Sequence, residues 1–583
     1  MSCMASITYV VIALVSGVFV ETAIAQSVPF FHDTVIYQVY PRSFYDGIPD
    51  GTGDLKGVAS KVDYLKELGI GAVWFSPIFS SPMADFGYDI SNFTEIDPIF
   101  GTMQDFDDLL VTLHANDMKV IMDLVPNHSS DEHEWFQKSI QMIDPYTDYY
   151  VWADPLGFNA TGDPIYPNNW VNAFRGHAWT WVEERQQFYL HQFLTKQPDL
   201  NYRFPPVVEE MRNVLRFWLD KGVDGFRVDA FDHLVEVEDV YQDEPVAIDS
   251  GIDDPLDYGY LNHTLTMNQP GTYLVLRELR LVVDEYQDKL LMVEAGGMEY
   301  YGNETFPLAH FPFNFLIIGI LHNRTDFTGN NIKYAIDQWM DNMPEGMWPN
   351  WVLGNHDNRR VGSRIGADLV DCLNMLMLLL PGTPINYYGE EIGMLDTWIS
   401  WEDTQDPQGC NYGPDGYEAK SRDPERTPMQ WDDTNFAGFT TYNDTWLPVN
   451  ENYITLNVKA QQESEFSHLK VYQNLTRLRQ EPAFRSMNAA YPVITELIFS
   501  VLRYAQNEEM YLLVINTSEE PVVVNLHHSA SFQLPDTGVV VLRSASDTSV
   551  ETSPGSVVSL DSVPLVGGEG IVFSLGLSST DLA

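Results

Sequence analysis

The sequence predicts an α/β chain built on a (β/α)8 TIM barrel, with a subdomain inserted after the third strand and an antiparallel β-domain at the C-terminus. Three observations carry this reading. Short, apolar, β-rich runs alternate with amphipathic helical stretches over most of the chain. The alternation is interrupted for about 75 residues after the third run, and from Met487 onward the helical signals give way to β-rich runs.

The β-rich runs begin at Val35, Ala72, Val120, Gly225, Leu291, Trp351 and Ile385, and a weaker one from Phe311 to Phe315 completes eight. Between the first two, Val58, Val62, Leu65 and Leu68 fall on one helical face, with Gly69 at the stop. Before Gly225 the device recurs: Met211, Val214, Leu215 and Trp218 line one face and Gly222 ends it. The predicted barrel occupies 26–125 and 201–486, the inserted subdomain 126–200, and a β-sandwich 487–583. No repeat of fixed period and no low-complexity linker is found.

The N-terminus carries an apolar run followed by Ala23-Ile24-Ala25, a small-x-small pattern that predicts a signal peptide over 1–25. No Lys or Arg precedes the run, which leaves an uncleaved anchor as the alternative. Later segments are too short or too polar to span a bilayer, and the polar C-terminus lacks a lipid-anchor tail, so a secreted, extracellular protein without a stable membrane anchor is expected. The net charge of −51, spread along the chain, argues against nucleic acid and anionic lipid as partners. Nothing in the sequence fixes an oligomeric state.

Once Cys3 leaves with the signal, only Cys372 and Cys410 remain, either paired with each other or with Cys372 as a buried thiol. Sequons at Asn92, Asn159, Asn262, Asn303, Asn323, Asn443, Asn474 and Asn516 agree with a secretory route, whereas Asn127 is expected to be buried.

In a parallel barrel the strand C-termini converge on one mouth, so polar residues that end apolar strands are candidate catalytic groups. Here the third strand ends in the run from Asp123 through Asn127 to His128, the fourth carries Arg227 and Asp229, the fifth ends in Glu294, and the seventh ends in Asn355, His356 and Asp357. Burying such charges without partners is costly, so their presence requires an explanation.

The motifs DLVPNH (123–128), GFRVDA (225–230), the glutamate after LLMV (294) and GNHD (354–357) resemble the α-amylase superfamily, glycoside hydrolase family 13, in order and separation. The resemblance runs from about Val35 to the terminal domain. QPDLN from Gln197, NYYGEEIGM from Asn386 and SRDPERTPMQWD from Ser421 resemble the oligo-1,6-glucosidase and α-glucosidase group, and ISWEDTQDPQGC from Ile399 resembles the insect maltases.

This resemblance implies a retaining, exo-acting α-glucosidase for small α-glucoside sugars: maltose, short maltooligosaccharides and sucrose. Asp229 would be the nucleophile, Glu294 the general acid and base, and Asp357 the third catalytic carboxylate, binding the 2- and 3-hydroxyls of the distorted glucose. His128 and His356 would donate to the same ring, and Tyr88 would form its floor. Asp85 and Arg422 would grip its far end and close the pocket, with Arg426 as the neighbouring candidate for the arginine. Arg227, on the strand face of Asp229, would keep that carboxylate ionised and oriented. Phe174 is a further candidate, although the aromatic insert also reads as subdomain core. Ala230 stands where 1,6-specific relatives carry Val, which implies an α-1,4 preference.

No organic cofactor is implied. The loop from Asp46 to Asp54 resembles the calcium loop of bacterial relatives, with Asp46, Asp50, Thr52 and Asp54 as ligands of a structural Ca2+, although Ile48 replaces a usual Asn. Asp123 and Asn127 are read as supporting hydrogen-bonding groups, and His114, His133, His191, His310 and His322 receive no role. Two rivals remain: a catalytically silent member acting as a binding or receptor protein, and a same-mechanism oligo-1,6-glucosidase or transglucosylase.

Overall fold

The structure, a computed structural model, describes residues 28–528, 534–544 and 552–577; the expected signal peptide lies outside the described residues. Eight parallel strands form the central sheet: β1 (Ile36–Val39), β2 (Ala72–Phe75), β3 (Lys119–Leu124), β4 (Gly225–Val228), β5 (Leu290–Val293), β6 (Phe311–Pro312), β7 (Asn350–Val352) and β8 (Thr383–Tyr387). They run β6-β5-β4-β3-β2-β1-β8-β7, so the sheet curls round until its two end strands meet.

One side chain spans the remaining gap between those end strands. Asn350 Oδ1 accepts from the Asn314 N–H at 2.9 Å, and its Nδ2 donates to the Pro312 carbonyl at 2.7 Å. Pro312 has no N–H to give a ladder, which confines β6 to two residues and explains its faint signal in the sequence. The other strands are buried on both faces, because helices cover the outside and side chains fill the inside. Hence they read as continuous apolar runs.

The helix α1 (Met103–Ala115) begins at a capping box of Thr102 and Asp105. In α2 (Pro205–Lys221) a proline opens the helix, and Gly222, at φ 109°, closes it in the left-handed conformation that favours glycine. Met211, Val214, Leu215 and Trp218 are all buried. The helical stretch before β2 differs from its expected continuity. Val58, Val62, Leu65 and Leu68 are buried, but the helix divides into Leu55–Ser60 and Val62–Glu67. The break is at Lys61, whose ammonium is held over the rings of Tyr45 and Trp431 at 3.9 and 4.1 Å.

Between β3 and α2, the strands Trp152–Ala153, Gln187–Leu190 and Trp179–Val182 form a small antiparallel sheet with its own apolar cluster around Trp170, Trp179, Phe188 and Leu190. The long segment between β4 and the helix at Pro270 docks onto it. Trp170 Nε1 donates to the Gln242 carbonyl at 2.9 Å, and Val237, Val240 and Leu265 pack against the cluster. That second excursion has no periodic signal in the sequence. At the C-terminal end, a six-stranded antiparallel sheet spans Ala489 to Leu577 and is joined by a two-stranded one.

Among the described residues no helix is long and apolar enough to cross a membrane. Cys372 is buried and Cys410 exposed, and both are free, so the pairing alternative fails. Asn159, Asn262, Asn303, Asn323, Asn443 and Asn474 are exposed and Asn92 is half-buried. Asn516 is the exception: it is fully buried and its amide donates to the carbonyls of Glu520 and Val566, each at 2.8 Å, which removes it as an acceptor of glycan.

Candidate active site

Strand register brings Asp123 of β3 beside Arg227 of β4, so both side chains emerge on one level at the mouth. Arg227 is fully buried. Its Nη1 lies 2.6 Å from Asp229 Oδ1 and 2.8 Å from Asp123 Oδ1, while Nη2 lies 2.6 Å from Glu294 Oε2. A single planar fork thus holds the Asp229 and Glu294 carboxyls side by side. The backbone repeats the constraint. Asp229 N–H donates to Leu124 O and Glu294 N–H to Val228 O, each at 2.8 Å. Ala230, at φ 44°, turns left-handed, and its N–H meets Glu294 Oε2 at 3.1 Å.

Burial raises the pKa of Asp229 well above the usual carboxylate range; Arg227 opposes this, and Glu294, Asp123 and Asp357 reinforce it. Burial likewise lifts Asp123 to about 7 against the pull of Arg227. These acids share one guanidinium, so they titrate together and retain a proton at a pH where isolated carboxyls have lost theirs. Asp357 goes the other way. Burial alone would raise it, but the positive charges around it, including Arg422 and Arg426, hold it well below the ordinary range.

Above these groups lies a cavity of about 220 Å³. This is below the ~300–1,000 Å³ of drug-sized pockets and suits one small polar ring. Asp85, Tyr88, His128, Phe174, Asp229, Glu294, Asp357 and Arg422 all contribute to its wall. Arg227 lies beneath the wall, and so does His356. The imidazole of His356 stacks under Tyr88 at 5.3 Å, its Nδ1 accepts from Gln38 Nε2 at 2.8 Å, and its Nε2 faces the Tyr88 hydroxyl and Asp357. It lies behind the lining residues and steadies the floor from below. Both nitrogens of His128 are also engaged, with Asn127 Nδ2 and the Tyr88 carbonyl. Burial holds this imidazole far below its usual pKa, at about 3, hence neutral.

The far end is closed by Arg422. Its Nη2 meets Asp85 Oδ1 at 3.0 Å, its Nη1 meets Asp357 Oδ1 at 3.1 Å, and its guanidinium covers the Phe174 ring at 4.8 Å. Arg426 is no substitute: it lies behind Asp357, at 2.7 Å from Oδ1, and donates to the His356 carbonyl. Sequence reasoning missed Asp406. This carboxylate accepts from Arg422 Nη2 at 2.6 Å, from its Nε, and from its backbone N–H. Gln197 was quoted only as part of a motif; its Nε2 reaches Asp85 Oδ2 at 3.1 Å. Phe193 completes the wall unannounced, and Gln408, like Gln197, was quoted only as part of a motif.

The four residues expected around calcium do not converge. Asp46 Oδ2 accepts from the Asp50 and Gly51 N–H groups, Asp54 accepts from the Ile48 and Gly57 N–H groups, Asp50 is exposed, and Thr52 donates its N–H to Asp50 Oδ1. Among the described residues no group of three or more His, Cys, Asp or Glu is placed to hold a metal. One atom does fit a hard cation: Asp46 Oδ1 is buried with no partner.

A parallel barrel whose mouth presents two carboxyls on one arginine, facing a closed one-ring pocket, has the architecture of a glycoside-cleaving enzyme. Residues 38–486 match the family described as alpha amylase, catalytic domain, and the chain belongs to that family, glycoside hydrolase family 13. It is 46% identical over 506 residues to Maltase A1 of Drosophila melanogaster, covering 84% of this chain and 87% of that one. It is 45% identical over 550 residues to the salivary alpha-glucosidase of Aedes aegypti, covering 92% and 93%. Among solved structures, the alpha-glucosyl transfer enzyme XgtA superposes with a TM-score of 0.81 at 34% identity, covering 94% of this chain and 99% of that one.

Proposed function

We propose that this chain is a retaining, exo-acting α-glucosidase that removes α-glucose from the non-reducing ends of maltose, short maltooligosaccharides and sucrose. The observation that carries the proposal is the shared fork of Arg227, which sets Asp229 and Glu294 together below a pocket closed by Arg422 and Asp85.

In the first step an Asp229 oxygen attacks the anomeric carbon, the glycosidic bond breaks, and Glu294 gives its proton to the departing oxygen. The product is a β-glucosyl ester. In the second step Glu294 takes a proton from water, whose oxygen displaces Asp229 and restores the α-configuration. The Arg227 fork, which holds Asp229 and Glu294 side by side, keeps both carboxyls within reach of one glycosidic bond. Asp357, held ionised, accepts from ring hydroxyls, and those bonds strengthen as the ring flattens. Because Arg422, Asp85 and Phe174 wall the far end, only a terminal residue fits.

Product analysis on maltose, isomaltose, sucrose and amylose tests the reading. Glucose release from the first and third with little isomaltose or amylose turnover supports it, and rapid internal cleavage of amylose contradicts it. Similarity to a glucosyl-transfer enzyme favours a second reading, in which a sugar hydroxyl takes the place of water at high substrate concentration.

The proposal includes secretion and N-glycosylation, supported by the N-terminal signal pattern, the exposed sequons and similarity to salivary enzymes. It also includes a calcium ion at the loop of Asp46, supported by the unpartnered buried oxygen of that residue. Such an ion would brace the loop and take no part in the chemistry.

A further inference from the structure

A second cavity, of about 730 Å³, is lined by residues that include Gln405 and Trp446. Its wall combines three aromatic rings, Phe436, Trp446 and Tyr453, with the polar groups of Asp403, Gln405 and Asp444, and it contains no basic residue. Aromatic faces beside carboxylate and amide oxygens suit a neutral polyhydroxylated ring, whose C–H face stacks while its hydroxyls donate. The lack of a cationic side chain disfavours phosphates and carboxylates.

Two features set Phe436 and Tyr453 of this wall apart from the core, on which Trp446 does pack. Among the described residues neither Phe436 nor Tyr453 belongs to the apolar clusters or packs upon them, although both rings are half-buried. Phe436 and Ala437 also adopt successive left-handed conformations, φ 55° and 56°, which side chains other than glycine resist. Their turn is held from outside: the Trp431 and Asp432 N–H groups donate to the Ala437 carbonyl at 2.8 and 3.0 Å. A strained turn that presents an aromatic ring unused by the core is a recurrent mark of a binding surface.

We propose that this cavity is a second saccharide site, taking one or two rings of a short α-glucoside. Its lining residues adjoin neighbours of the catalytic pocket's closing pair, although the two cavities have no lining residue in common. Trp446 packs on Phe86 at 5.2 Å, with Arg42 over both rings, and Phe86 follows Asp85. On the other side Gln405 precedes Asp406, the partner of Arg422. A sugar in the second cavity therefore touches residues adjoining Phe86 and Asp406, which neighbour and hold the groups that close the first.

Calorimetric titration of the Asp229→Asn protein with maltotriose tests this, since that variant binds without turnover. Two binding events are expected. Phe436→Gly, which removes the ring while suiting the left-handed turn, and Tyr453→Ala should each weaken one event about tenfold and leave the other unchanged. Phe436→Gly should not lower Tm, which separates a binding role from a structural one. A single event, a second event that survives both substitutions, or tighter binding of choline than of maltotriose overturns the proposal. Turnover by Asp229→Asn would instead contradict the catalytic reading, on which this site does not depend.

Discussion

Arg422 Nη2 lies 3.0 Å from Asp85 Oδ1, although 337 residues separate them in the chain. The contact joins the loop after β2 to the loop after β8 and turns an open barrel mouth into a blind pocket. Asp406 holds the arginine from behind. Removing one partner of a buried, hydrogen-bonded charge pair costs ~2–5 kcal/mol. Arg422→Ala should therefore raise KM for maltose by about 10²-fold or more with a smaller fall in kcat, and Asp406→Asn should act in the same direction. Steady-state kinetics check this; an unchanged KM contradicts the clamp.

Burial lifts the Asp85 carboxyl to about 6, against the pull of Arg422. Above that pH the group is ionised, paired with Arg422 and able to accept from a sugar hydroxyl; below it protonation weakens both interactions. The kcat/KM profile should therefore fall as pH drops through about 6. In Asp85→Asn this inflexion should vanish while overall efficiency stays low. An unaltered acid limb in the variant would assign the titration elsewhere.

Ala230 follows the nucleophile at φ 44° and lines the cavity. A β-branched residue there both fills space beside the departing sugar and strains the backbone, at ~1–2 kcal/mol. Ala230→Val should lower maltose turnover more than isomaltose turnover and reduce Tm by a degree or two. A change in Tm with no change in the maltose to isomaltose ratio would deny it any role in linkage preference.

Much of this was legible in the sequence, for a geometric reason. Strand termini of a parallel barrel converge, so Asp123, Arg227, Asp229, Glu294 and Asp357 could be brought together from their positions in apolar runs. Asp406, Phe193 and Gln408 escaped because they sit on a loop or at the start of the short helix Pro407–Tyr412, whose approach is set only by tertiary packing. Asp406 even lay inside a quoted motif, but nothing local pairs it with Arg422. The layering of Tyr88 over His356 was not legible, since sequence shows which strand carries a side chain but not what stands in front of it. The helix break at Lys61 has a similar origin, in rings of Tyr45 and Trp431 that only the fold supplies.

Calcium in the loop at Asp46 predicts a thermal shift. Adding Ca2+ to chelator-treated protein should raise Tm by several degrees, and Asp46→Asn should abolish the rise without altering kcat, because the ion would stabilise only the folded loop. Equal Tm values with calcium and with chelator would show that backbone N–H groups alone hold the loop.

The most direct test follows the first glucose released from maltose by proton NMR, before mutarotation scrambles its anomers. Two successive displacements at Asp229 and Glu294 require the α-anomer to appear first, and Asp229→Asn or Glu294→Gln to slow its appearance at least about 10³-fold. Initial β-glucose, or near-normal turnover in Asp229→Asn, would contradict the account.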